Sequence, residues 1–193
     1  MGARAVAVVL ASTTLGTLLA ACGSGPSGAG TSPRSRPTTN REAPMTMTLS
    51  SALFADDAMI PTRSTCDGED VSPPLTWDGV PAGAAELALT MVDPDAPGGT
   101  FVHWVVWGID PATHELDEGV LPDGVHQGRT GFGKTGYGGP CPPKGDKAHR
   151  YVFTIYALSS PVALADGASI DDLRSNMDGK VLAEGTLVGR YGR

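Results

Sequence analysis

Phe101-Val102-His103-Trp104-Val105-Val106-Trp107-Gly108 gathers aromatic and β-branched side chains with no formal charge among them. Side chains of this kind pack well on a pleated surface, so the run reads as a buried β-strand. A period of two places Phe101, His103, Val105 and Trp107 on one face. Two further runs read the same way: Glu86–Asp93, mostly apolar with an acid at its end, and Tyr151–Leu158. Met45–Ser50 alternates and reads as a first strand, Thr186–Tyr191 as a last one. Proline and glycine punctuate the gaps, at Pro73-Pro74, Pro94 to Gly99, Pro122-Asp123-Gly124 and Gly138-Gly139-Pro140. One helix is expected. Ser169-Ile170-Asp171-Asp172 has capping-box spacing, Leu173, Met177 and Val181 then share a face, and Gly185 stops it. Strands with so little helix between them predict an all-β fold, a sandwich of two antiparallel sheets, rather than a parallel α/β sheet.

Composition agrees. The 193 residues include 26 glycines and 16 prolines, a turn-rich chain, and 40% hydrophobic residues, enough for a core. Aromatics are only 6% and the net charge is −7, so neither a stacking groove nor a basic footprint for nucleic acid is present. The charge is uneven. Arg4, Arg34, Arg36 and Arg41 precede residue 45, opposed by Glu42 alone, which leaves the rest of the chain about −10. An anion site in that body must be built locally, against the global field.

Residues 1–21 are one arginine followed by an apolar run, the size of a signal-peptide h-region and at the short limit for a membrane span. Leu19-Ala20-Ala21-Cys22 resembles a bacterial lipobox, in which the cysteine is acylated and begins the mature chain. The alternatives are a plain secretory signal or an uncleaved anchor. Residues 22–44 then read as the lipidated cysteine and a Gly/Ser/Pro linker, which spans about 25 Å as a flexible coil. Residues 45–193 are one domain. The expected location is the extracytoplasmic side of a cell membrane, held by a lipid on Cys22.

Several residues suit chemistry. Asp93 and Asp95 bracket a proline directly after a strand. They can cap backbone N–H groups in a turn, or serve a site. His103 can be a core histidine or a ligand-binding one. His149 opens the Tyr151 strand, after a Gly139-Pro140-Cys141-Pro142-Pro143 loop that offers a rigid wall and backbone N–H groups for an anion. Aspartate with two histidines is also a metal-ligand set, but no H-x-H, HExxH or CxxC spacing occurs, so no metal or other cofactor is expected. No G-x-S-x-G occurs either. His114 and His126 lie in polar, loop-like stretches and read as surface residues.

Asp93 to Pro97, His103-Trp104-Val105, and Gly139 to Gly145 running into His149-Arg150-Tyr151 together resemble the phosphatidylethanolamine-binding protein family, in its Raf kinase inhibitor-like bacterial branch. Cys66 to Trp77 and Leu182 to Tyr191 fit the same branch. The resemblance covers about Met45 to Arg193. It implies a β-sandwich with small peripheral helices and a shallow pocket for phosphate-like or carboxylate anions, phospholipid head groups included. Asp93, Asp95, His103, His149 and Tyr151 would form that pocket, with Gly139, Pro140, Cys141, Pro142 and Pro143 as its wall. It also places Cys66 and Cys141 near one another, and a disulfide between them suits an exported domain. The chain lacks a counterpart to the C-terminal helix of animal members. The expected function is binding without catalytic turnover. The rivals are a modulator of a kinase or protease acting through the same pocket, and a hydrolase or lyase using His103 and Asp93.

Overall fold

In this computed structural model residues 45–193 are described. The expected leader 1–21, Cys22 and the linker 22–44 lie outside the described residues. In chain order the elements are β1 (Met45–Thr46), β2 (Thr48–Ser50), β3 (Ala58–Met59), β4 (Leu75–Asp78), β5 (Glu86–Asp93), β6 (Phe101–Ile109), β7 (Glu115–Leu116), β8 (His126–Gln127), β9 (His149–Leu158), α1 (Ile170–Met177) and β10 (Val181–Tyr191). The large sheet runs β1-β10-β9-β5-β6-β8, with β3 also on β10. Its four long strands pair antiparallel, whereas β1 and β3 lie parallel to β10. The small sheet is β2-β4-β7, also antiparallel. The fold is thus the expected β-sandwich.

The core lies between the sheets. Leu49, Leu75, Trp77 and Leu116 of the small sheet meet Leu89, Met91, Trp104, Val106, Phe153 and Ile155 of the large one. The other face of the large sheet is covered by α1, whose Ile170, Leu173 and Met177 pack on Ala88, Val105, Trp107 and Leu158. Both faces of β5 and β6 are therefore dry, which is why these runs are nearly continuous in apolar residues.

Three expectations change. Met45–Ser50 is two strands, because the chain changes sheets at Met47. Met47 is buried and its N–H donates to Glu184 O at 2.7 Å, while Thr48–Ser50 pairs with β4. The helix has its capping box, with Ser169 N–H donating to Asp172 Oδ2 and Asp172 N–H to Ser169 Oγ. It stops at Met177 and not at Gly185; Gly179, at φ +75°, supplies the left-handed residue that ends it. Val181 and Gly185 belong to β10.

The third change bears on the site. Trp104 pairs with Met91, but Val102 pairs with Val92, so His103 is an extra residue in β6. This β-bulge reverses the alternation. Val102, Val105 and Trp107 face α1. Phe101 and His103 turn instead to the opposite side, where the His103 ring meets Tyr151 at 5.1 Å. The single face expected for Phe101, His103, Val105 and Trp107 is split by that one residue.

Cys66 and Cys141 form a disulfide with Cα atoms 5.4 Å apart, tying loops 75 residues apart in sequence. Closing such a loop in the unfolded chain is worth about 4 kcal/mol in the chain-entropy model. Replacing both cysteines by serine is expected to lower the midpoint of thermal unfolding by roughly 10 °C. Calorimetry checks this, and thiol counting on denatured, unreduced protein is expected to find no free thiol from the two.

Candidate functional site

The three central strands bring their chemistry to one end of the large sheet. β5 ends at Asp93, β6 begins at Phe101, and β9 begins at His149. Asp93 is 3% exposed, His103 2% and His149 6%. A carboxylate so buried requires donors. Asp93 Oδ1 accepts the Asp95 N–H at 2.8 Å, closing the turn after β5. Its Oδ2 accepts from His149 Nδ1, also at 2.8 Å. Asp93 therefore caps the turn with one oxygen and orients the His149 ring with the other. His149 Nε2 is left to face Asp146 Oδ2 at 3.8 Å, beyond a hydrogen bond.

Asp95 supports this arrangement from outside. Its carboxylate holds Arg150 in a fork, with Nη2 on Oδ1 at 2.6 Å and Nε on Oδ2 at 2.9 Å, and it also accepts the Arg150 N–H. The guanidinium holds the Asp95 carboxyl at about 2, well below its usual range. The residue following His149 is thereby pinned to the turn that begins at Asp93.

His103 Nδ1 lies 2.6 Å from Gly138 O, and a carbonyl only accepts, so Nδ1 carries the proton. Among the described residues Nε2 has no hydrogen-bond partner. Burial pushes His103 below the ordinary imidazole range, while the Gly138 bond and the Asp93 charge oppose that push. Phe101, Phe132 and Tyr151 surround the ring at 5.1 to 5.5 Å. The Tyr151 hydroxyl is buried without a full hydrogen bond; burial raises it above the ordinary phenol range, and the Cys141 backbone N–H partly offsets that.

These side chains open on a cavity of about 210 Å³. Asp93, His103, Cys141, Pro142, Pro143 and His149 line it, joined by Ala96, Pro97, Phe101 and Phe132. The other expected residues stand behind the wall. Asp95 orders Arg150, Tyr151 packs under His103, Pro140 O accepts the Cys66 N–H, and Gly139 lines a neighbouring hollow of about 230 Å³. Of the backbone donors expected in the loop, the Gly138 N–H is used by His103 O and the Gly139 N–H by Asp70 Oδ1, the prolines have none, and the Cys141 N–H acts on the Tyr151 hydroxyl. Gly139 is required where it is, since a Cβ would stand 2.5 Å from Ser64 O. Larger hollows, about 260 and 420 Å³, lie elsewhere and contain no histidine.

Phe132 and Arg193 were not anticipated. Phe132 lies between Gly131 and Gly133 and projects over His103 from a tight turn; an aromatic isolated in a glycine-rich stretch was the available signal. Arg193 donates to Pro142 O, Asp67 Oδ1 and Cys66 Sγ, and nothing local in the sequence announces that. His114 and His126 are exposed, as expected, with His126 paired to Asp166 and stacked on Trp107.

Comparison with known proteins bears on the whole domain. A UPF0098 protein of Methanothermobacter thermautotrophicus is 49% identical over 152 residues, covering 76% of this chain and 99% of that protein. A Mycobacterium tuberculosis protein named as a lipoprotein, LppC, is 48% identical over 132 residues, 68% of this chain and 65% of its own. Among solved structures, E. coli YbcL matches at TM-score 0.73 and 32% identity, over 76% of this chain and 98% of that one. Chlamydia trachomatis CT736, described as a homolog of phosphatidylethanolamine-binding protein, matches at TM-score 0.73 and 36% identity, over 77% and 98%. Residues 50–192 match the family described as phosphatidylethanolamine-binding protein, and the chain belongs to that family.

Proposed function

We propose that this protein is a membrane-tethered, extracytoplasmic binding protein whose cavity holds a small anion, a phosphate or a phospholipid head group, without turning it over. The observation that carries the reading is the pair of ring nitrogens, His103 Nε2 and His149 Nε2, left without hydrogen-bond partners on residues that line one cavity. Protonated imidazoles are anion donors. A volume of about 210 Å³ suits a head group rather than a whole lipid. Asp93 contributes orientation: both its oxygens are engaged, so it fixes the His149 ring rather than meeting ligand.

The Asp93–His149 pair is also how a general base is oriented, which favours the hydrolase as second reading. Among the described residues the cavity wall has no serine, threonine or lysine, and its cysteine is in a disulfide. Such an enzyme would have to activate water. Binding is the simpler use of these groups, and product release from ester and phosphoester panels decides between the two readings.

The sign of the pH dependence follows from burial. His103 is neutral near neutrality, and its folded value lies below the unfolded one. Its contribution to stability is present above about pH 6.5 and is lost as the pH falls through the lowered folded value. A bound anion favours the protonated ring and offsets that loss. Phosphate or phosphoethanolamine is therefore expected to raise the unfolding temperature more near about pH 5.5 than about pH 7.5. His149→Ala is expected to weaken binding about tenfold, Asp93→Ala to weaken it as well, and His114→Ala to leave it unchanged. Calorimetric titration measures these effects; equal binding by wild type and His149→Ala overturns the site.

The tether rests on Leu19-Ala20-Ala21-Cys22 and on the likeness to a protein named as a lipoprotein. One acyl chain holds a protein only marginally, so stable anchoring needs more than one on Cys22. Cys22→Ala is expected to release the protein into the soluble fraction or leave an unprocessed precursor, as fractionation and intact mass show. A processed, membrane-bound variant excludes the lipid anchor.

A further inference from the structure

The disulfide is not symmetric in its surroundings. Cys141 lines the cavity that holds Asp93 and His149, whereas Cys66 lines the neighbouring hollow with Asp70 and Lys134. Both cysteines are half-buried, and each lines a hollow wide enough for a small molecule. Arg193 Nη1 stands 3.1 Å from Cys66 Sγ and also donates to Asp67 Oδ1 at 2.9 Å. The Asp67 carboxylate is shared with the Tyr191 hydroxyl at 2.8 Å, which does the most to hold it below its usual range, so Arg193 is not its sole counter-charge. Lys144 acts on the same carboxylate from further away. Among the described residues no guanidinium or ammonium contacts Cys141 Sγ, and Asp93 stands in the same wall with His103 and His149. A neighbouring guanidinium stabilises thiolate, and a neighbouring carboxylate disfavours it.

We infer that the Cys66–Cys141 disulfide is a directional thiol-exchange site, at which a small monothiol entering the cavity attacks Cys141 Sγ and expels Cys66 as a thiolate held by Arg193. The incoming thiol first loses its proton to solvent. Its sulfur forms a new bond to Cys141 Sγ, and the Cys66–Cys141 bond breaks with its electron pair going to Cys66 Sγ. The incoming sulfur is oxidised to a mixed disulfide and the Cys66 sulfur is reduced. A second equivalent of the thiol attacks the mixed disulfide, releasing the symmetrical disulfide and the Cys141 thiol. Exchange is faster when the leaving sulfur is the better stabilised thiolate, which selects Cys66 to leave. The immediate product carries the substituent of the thiol on Cys141, inside a cavity of about 210 Å³. Thiol exchange therefore blocks the cavity before it loosens the loop. That loop keeps other ties, the Cys66 N–H to Pro140 O and Arg193 Nε to Pro142 O.

The test uses the oxidised full-length protein and 2-mercaptoethanol, a neutral thiol whose action does not depend on whether the cavity binds anions. The reaction is quenched early with an alkylating agent and the peptides are mapped by mass. The expected result is the mercaptoethanol adduct on Cys141 and the alkyl group on Cys66, in roughly tenfold excess over the reverse. An even split, or the adduct mainly on Cys66, overturns the inference. Arg193→Met is expected to slow the opening about threefold or more, and Arg193→Lys to recover part of the rate. A wild-type or faster rate in Arg193→Met removes Arg193 from the step. Should Arg193→Met fail to fold, the wild-type peptide map decides alone.

Discussion

A carboxylate that is almost fully removed from water has to be surrounded by donors, and at Asp93 this requirement shapes the end of the sheet. The backbone after β5 turns so that the Asp95 N–H reaches one oxygen. β9 begins where it does so that His149 reaches the other. The Asp95–Arg150 fork then locks the two segments together from the solvent side. Removing the His149 ring would leave buried charge with one donor fewer, the expensive half of a buried pair. The pair is thus a structural joint between β5 and β9, whatever the cavity holds, and a site built on it inherits its rigidity.

A second constraint is the extra residue in β6. In an unbroken strand His103 would lie on the α1 side, with Val105 and Trp107. The bulge carries it round to the cavity, where its Nδ1 finds Gly138 O and its ring finds Tyr151 and Phe132. Bulges beside sites re-aim a side chain in this way at the loss of local ladder bonds. Here the Gly138 N–H donates to the His103 carbonyl, so the loop satisfies the backbone group that the bulge sets free.

Much of this was legible from residue order. The β-runs at 86–93, 101–108 and 151–158 are continuous in apolar side chains because both faces of the large sheet are covered, and the capping box at Ser169 formed as its spacing implied. Asp93, His103 and His149 were recognised through the motifs they stand in. Three features were not legible. Periodicity assumes a regular pleat, so it cannot show a bulge, and it put Phe101 and His103 with Val105. Met47 looks like a mid-strand residue because alternation continues through the change of sheet. Arg193 reaches Cys66 across 127 positions, a separation at which no local pattern operates.

The loop from Gly138 to Pro143 shows how the two constraints meet. Gly139 sits where a Cβ would collide with Ser64 and Thr65, and the Gly138 carbonyl orients His103. Its prolines remove N–H groups that would otherwise need partners beside a cavity. Its cysteine ties it to the far loop, and Arg193 grips both Pro142 and Cys66. Nearly every donor in it is spent on holding shape. The wall therefore contributes form, and the polar contacts open to a ligand are concentrated on two imidazoles in an acidic body. On the binding we propose, recognition by so few donors, one of them on a ring that burial keeps neutral, makes its strength depend on protons more than on contact area.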